Sequence, residues 1–338
     1  MLLIGLAGTS VAARERAWLT APNVAGVILF ARNYADRDQL MALCASIRAI
    51  GGDDKLIAVD QEGGPVQRFR AGFTRLPALA RIGAVYDRAP DEAVRLAEEH
   101  AWLMASELRA SGVDFSFAPV VDLARGNAAI GVRAFHADPA VTADLAAAYV
   151  RGMHLAGMAA VLKHFPGHGS VAVDTHKAQA VDPRPLAEIR RDDLRPFAEC
   201  IATHVEAVML AHVIYPALDA VPAGFSRRWI HDVLRDELGF TGIAISDDIS
   251  MVAAGVAGAV AARVHGHLDA GCDLVLACFP DVVPDAIAAV ADRAPLAAER
   301  LATLRGTVAA TWAGLQDNPQ RDRFVARITA LDADQDHA

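Results

Sequence analysis

Short runs of consecutive apolar residues alternate along this chain with longer stretches in which apolar positions recur every three or four residues. The first kind reads as strands buried on both faces, the second as helices that bury one stripe. Strands are predicted at Leu2–Ala7, Val24–Phe30, Leu56–Asp60, Asp114–Pro119, Ala159–His164, Ala207–His212, Gly242–Asp247 and Cys272–Cys278. Helices are predicted at Asp36–Ile50, Asp91–Ser111, Pro139–Ala156, Pro185–Ala202, Ser226–Leu238, Val252–Ala270, Pro295–Leu315 and Arg321–Leu331. Strands alternating with helices in this way predict a single parallel (β/α)8 TIM barrel of the α/β class. The rival is an open doubly wound sheet. It would more often carry a glycine-rich phosphate loop after its first strand, and Gly5-Leu6-Ala7-Gly8 lacks the GxGxxG spacing. A further pattern favours the barrel: predicted strands end in Asp60-Gln61-Glu62, Lys163-His164, His212 and Asp247-Asp248. In a barrel, such ends converge on one mouth.

Composition narrows the class further. Of 338 residues, 54% are hydrophobic and only 6% aromatic, which excludes disorder and suits Ala-, Val- and Leu-rich strands under helices. The formal charge of −9 makes the chain a poor partner for phosphate backbones, so no nucleic-acid partner is expected. Length alone would suggest about two domains. No Pro/Ser-rich linker, charge block or internal repeat divides the chain, so one barrel over residues 1–332 is expected, with 333–338 a frayed tail. Cys44, Cys200, Cys272 and Cys278 form no CxxC pair or zinc-like cluster and read as free buried thiols in a reducing compartment. The amino-terminal run lacks a basic segment before Leu2 and is interrupted by Gly5, Gly8 and Thr9, so it reads as a first strand rather than a signal peptide. The longest uncharged stretch, Ile249–Ala262, is too short for a membrane span. No membrane partner and a cytoplasmic location are expected.

The chemistry concentrates in a few stretches. Lys163-His164-Phe165-Pro166-Gly167-His168-Gly169 ends a strand and enters a loop that its proline and glycines keep from being helical. Asp174 and His176 follow, two residues apart, close enough for the carboxylate to orient the imidazole as a general acid and base. A metal reading would use His164, His168, Asp174 and His176, but a helix that would align an HxxxH pair is not predicted here. His168 reads equally well as a structural loop residue. Gly242–Met251 is an apolar strand ending in two carboxylates, Asp247 and Asp248. Successive side chains point oppositely, so one faces the mouth and the other caps the next segment near Ser250. Sequence alone does not choose between them. Asp60 and Arg68, flanking a Gly63-Gly64-Pro65 turn, could clamp hydroxyls, or they could be solvated charges beside a turn. Arg133 alone would read as a surface residue. Carboxylates, cationic donors and a histidine acid in one barrel mouth fit attack at an acetal carbon.

At these residues the sequence resembles bacterial β-N-acetylglucosaminidases of glycoside hydrolase family 3. The matching motifs are DQEGG at Asp60–Gly64, KHFPGHG at Lys163–Gly169, DTH at Asp174–His176 and SDDISM at Ser246–Met251, supported by FAPVVDL at Phe117–Leu123, IGVRAF at Ile130–Phe135 and AHVIYPALD at Ala211–Asp219. The resemblance implies a retaining double displacement without metal or cofactor. Asp247 would be the nucleophile and His176 the acid/base, polarised by Asp174; Asp60, Arg68, Arg133, Lys163 and His164 would bind the N-acetylglucosamine ring. It also implies action on cytoplasmic peptidoglycan fragments that carry anhydro-N-acetylmuramic acid, with or without peptide; a monomer is expected. A family 3 β-glucosidase or broad hexosaminidase is the neighbouring alternative. One departure is Pro65, where relatives often have an arginine, and no further carboxy-terminal domain, as in longer relatives, is expected.

Overall fold

The computed structural model describes residues 1–171, 180–251, 254, 258–307 and 311–333. Asp174 and His176 lie outside these residues. The barrel strands are β1 (Leu2–Gly5), β2 (Val24–Leu29), β3 (Leu56–Val59), β4 (Phe115–Ser116), β5 (Val161–Phe165), β6 (Ala207–Leu210), β7 (Ile243–Asp248) and β8 (Leu274–Ala277). They pair in parallel in the order β4-β3-β2-β1-β8-β7-β6-β5. Between β4 and β5 the ring closes through the chain just past β4. There Val161 N donates to Ala118 O at 2.8 Å, Val121 N donates to Lys163 O at 2.9 Å, and Val120 bridges Lys163. The structure is thus the expected (β/α)8 barrel, and β1–β6 and β8 are buried along their whole length, as parallel strands covered by helices must be.

Local chemistry sets the helix limits. Asp36 caps the helix Arg37–Gly51 by accepting from Gln39 N at 2.8 Å, and Gly52 with φ +103° ends it. Asp138 caps Pro139–Leu155 by accepting from Ala140 N at 2.7 Å, with proline opening the first turn. Beyond β8, Arg321 pairs with Glu107 at 2.7 Å and Arg327 with Glu92 and Glu99, each at 2.8 Å, so the carboxy-terminal helix Pro319–Ala333 is tied back to the long helix Pro90–Ala110.

Three predicted helices are interrupted. Pro185–Ala202 is two helices, Leu186–Arg191 and Leu194–Ile201. Pro196 cannot donate to the carbonyl of Asp192, and its ring clashes there, so no helix runs through. Within Val252–Ala270, the helix among the described residues is Val260–Ala270, preceded by Gly258 at φ +84°. Pro295–Leu315 contains the separate helices Ala298–Ala302 and Trp312–Gln316; between them Thr307 docks on the barrel, its N–H on Gly157 O (2.9 Å) and its carbonyl on Arg109 (2.7 Å). All four cysteines are free and buried. Among the described residues no helix is long and apolar enough to cross a membrane.

Candidate active site

The carboxyl ends of the strands surround a cavity of about 270 Å³. Asp60 follows β3, Lys163 and His164 lie in β5, Asp247 and Asp248 end β7, and Phe30 and Phe279 stand just past β2 and β8. Of the predicted residues, Asp60, Arg68, Arg133, Lys163, His164 and Asp247 all line this one cavity.

Arg68 arrives by a hairpin. Gln61–Gly63 pairs antiparallel with Val66–Gln67, and Gln61 Oε1 accepts from the N–H of Arg68 (2.8 Å) and of Phe69 (3.0 Å), folding the chain back over the strand end. Gly63 takes φ +103°, and a Cβ there would lie 2.5 Å from the Pro77 carbonyl, so the turn requires glycine. Pro65 at its tip is exposed.

The charges are tightly interlocked. Lys163 Nζ lies 2.7 Å from Asp60 Oδ1 and 2.6 Å from Glu62 Oε1. Arg133 grips Glu62 with both arms of its fork, Nε to Oε2 and Nη2 to Oε1, each at 2.8 Å. Arg68 Nη2 lies 3.8 Å from Asp60 Oδ2. Burial alone would raise the Glu62 pKa, but the Arg133 and Lys163 charges overturn that and hold its carboxyl well below the usual carboxylate range. Burial opposes the charge of Arg133 as well, and Glu62 beside it raises its pKa nonetheless.

Glu62 is the residue that sequence reasoning passed over. In extended chain, Asp60 and Glu62 fall on the same face, so a spacing of two within Asp60-Gln61-Glu62 carried the signal. Asp122 is the second omission. Its Oδ2 lies 2.6 Å from His164 Nδ1, its oxygens accept from His164 N at 3.2 Å, and Oδ1 accepts from His168 N at 2.6 Å. Burial would raise the Asp122 pKa, and the neighbouring histidines lower it. With Nδ1 of His164 engaged by Asp122, Nε2 is the nitrogen left for a ligand. His168 is buried and does not line the cavity; its Nδ1 lies 2.7 Å from Asn127 Nδ2, and burial lowers its pKa.

The two carboxylates of β7 have different surroundings. Asp248 Oδ1 accepts from Ser250 N at 3.1 Å and Cys278 N at 3.2 Å, binding that side chain to the backbone of the turn beyond it. Burial raises its pKa against those two N–H groups. Asp247 Oδ1 accepts from Asp248 N at 2.8 Å. Behind them, the buried His212 holds the Asp248 carbonyl through Nε2 at 3.0 Å. Among the described residues, no group of three or more His, Cys, Asp or Glu side chains is placed to hold a metal.

The chain is 59% identical over 315 residues to a β-hexosaminidase of Stenotrophomonas maltophilia (strain R551-3), covering 93% of this chain and 94% of that relative. A β-hexosaminidase of Xylella fastidiosa (strain 9a5c) is 56% identical over 328 residues, covering 97% and 98%. The crystal structure of NagZ from Neisseria gonorrhoeae in complex with N-trifluoroacetyl-D-glucosamine matches with a TM-score of 0.90 at 37% identity, covering 98% of this chain and 97% of that one. Barrel, charged mouth and relatives together make this a glycoside hydrolase. Residues 3–308 match the model of the glycosyl hydrolase family 3 N-terminal domain, and the chain belongs to that family, alongside its β-hexosaminidases.

Proposed function

We propose that the protein is a retaining exo-β-N-acetylhexosaminidase that releases N-acetylglucosamine from peptidoglycan fragments in the cytoplasm. Its substrates would carry anhydro-N-acetylmuramic acid, with or without peptide, and it would act as a monomer. The observation that carries the reading is the ring of Asp60, Arg68, Lys163 and His164 facing Asp247 across a cavity with room for one sugar unit. Charged donors and acceptors of this kind clamp several hydroxyls at once, and the carboxylate opposite reaches the anomeric carbon. The relatives' name, β-hexosaminidase, supports the N-acetylated sugar.

Asp247 then attacks C1 while His176 gives its proton to the leaving oxygen. The Asp247–C1 ester forms as the glycosidic bond breaks. In the second half, His176 takes a proton from water, the water oxygen bonds to C1, and the ester breaks. Asp174 orients the imidazole of His176. Asp248, tied to the N–H groups of Ser250 and Cys278, supports the turn that presents Asp247. Arg133 positions Glu62, and through it Lys163, at the sugar.

Incubation with a 5-fluoro-N-acetylglucosaminyl fluoride tests the assignment. The expected result is a covalent adduct on Asp247, found by peptide mass spectrometry, together with turnover of N-acetyl-β-glucosaminides well above that of β-glucosides. An adduct on Asp248, or preferred turnover of glucosides, would overturn the assignment it addresses.

A further inference from the structure

Phe279 stands at the rim of the cavity with 54% of its surface exposed, the one aromatic side chain among the exposed large hydrophobics of the described residues. It follows β8, two residues beyond Ala277. A phenylalanine left half in water at a site mouth costs hydration free energy unless something covers it in use. This one is also held in place. The Arg32 guanidinium lies over the Phe30 ring at 4.3 Å and over the Phe279 ring at 5.6 Å. Arg32 is itself anchored, Nε on the Leu6 carbonyl at 2.8 Å and Nη2 on the Cys278 carbonyl at 2.6 Å. That anchor is built in: at Gly5 a Cβ would lie 1.9 Å from the Cys278 carbonyl oxygen and 2.8 Å from Arg32 Nη2, so only glycine leaves the space. Two aromatic rings bracketing a fixed cation make one wall of the mouth a preorganised platform.

We propose that Phe279 is the stacking platform for the sugar on the leaving-group side of the cleaved bond, a specificity-determining residue that selects saccharide over non-saccharide leaving groups. This rests on the hexosaminidase reading given above. The charged groups that clamp hydroxyls cluster at β3 and β5, with Arg68 reaching over the Phe30 ring at 5.9 Å, whereas Phe279 stands past β8, beyond Phe30 and Arg32. A ring bound among the charges therefore fills the cavity, and its neighbour across the scissile bond emerges at the exposed rim. The carbon-bearing face of a pyranose covers an aromatic ring well, with its hydroxyls left at the edge for water. Arg32 acts only through Phe279, as a positioning residue.

Two substrates with the same N-acetylglucosaminyl group separate the possibilities: N,N′-diacetylchitobiose, with a sugar as leaving group, and N-acetyl-β-glucosaminyl fluoride, with none. In Phe279→Ala the ratio of kcat/KM on the disaccharide to that on the fluoride should fall about ten- to thirtyfold, the scale of losing one buried aromatic face. Phe279→Trp should keep the ratio within about threefold of wild type, and Phe279→Leu should fall between the two. Because the side chain is exposed, these variants are expected to fold, and matching melting temperatures check it. Equal losses on both substrates in Phe279→Ala would place Phe279 at the cleaved sugar instead and overturn the proposal, as would an unchanged ratio. A wild-type protein that turns over neither substrate would overturn the hexosaminidase reading itself, and the platform with it.

Discussion

Glu62 is 2% exposed, with a lysine and a bidentate arginine both spending their charge on it. A buried ion cluster of this kind adds little net stability over an apolar equivalent, yet it is expensive to break on one side only. Glu62→Ala would leave Arg133 and Lys163, both lining the cavity, without their shared carboxylate, with Asp60 still paired to Lys163. We expect a loss of about 3–5 kcal/mol in urea denaturation and a collapse in kcat/KM, because Lys163 no longer has a fixed position beside the sugar. Adding Arg133→Met to Glu62→Ala should recover part of the stability without recovering activity; strictly additive losses in that double mutant would show that the two side chains are not coupled. Asp60, Lys163, His164, Asp247 and Asp248 were legible in the sequence because polar residues at the ends of apolar strands are conspicuous, whereas Arg133 was marked only by the family resemblance. Glu62 stood in view at a strand end without its role, and Asp122 was missed, since a carboxylate that acts by holding another side chain shows that role only when its partners, more than 40 positions away, are brought beside it.

At the scale of elements, the strands were readable because each is a short apolar run ending in a change of character. At the hairpin Gln61–Gly63/Val66–Gln67 the Gly63-Gly64-Pro65 turn was legible but the pairing was hidden: its glutamines use their side chains on backbone groups of the returning chain, which no periodicity reveals. The interrupted helices failed in the reading for nameable reasons, Pro196 and Gly258 locally and the docking of Thr307 at long range. The hairpin also sets a prediction. Gly63→Ala puts a methyl against the Pro77 carbonyl and forces a left-handed residue, costing about 1–3 kcal/mol. The strain sits between Glu62 and Arg68, so KM for an N-acetyl-β-glucosaminide should rise more than kcat falls. Pro65→Arg, by contrast, changes an exposed tip and should leave stability within about 0.5 kcal/mol. If thermal melts ranked the two variants in the opposite order, the hairpin would not be what holds Arg68 over the strand end.

For the whole molecule, acid stability follows from buried histidines that do not line the cavity. His100 is fully buried with its Nε2 on the Pro77 carbonyl at 3.1 Å, and burial lowers its pKa to about 4. His267 is fully buried against Phe225 at 3.9 Å, and burial lowers its pKa to about 3. In the unfolded chain both titrate near about 6.5. Between that pH and the folded values the unfolded state binds more protons than the native one, so stability rises with pH through the window and falls as the solution is acidified. The loss begins below about pH 6.5 and continues to about 4 for His100 and about 3 for His267. Glu62 and Asp122, both depressed in the fold, add to it only below the ordinary carboxylate range near about 4. Between pH 6.5 and 5 each of these histidines contributes at most about 1.4 kcal/mol per pH unit, and a difference between variants reads the share of one of them. His100→Gln keeps an N–H that can reach the Pro77 carbonyl but cannot be protonated. Urea midpoints measured across that interval should slope less steeply in this variant than in the wild type, with the two slopes converging above pH 7. Parallel slopes would mean that His100 does not resist protonation in the fold, and the acid sensitivity would then come from His267, from its neighbour His212, 5.3 Å away between ring centres, and from His168, the last two also lowered by burial.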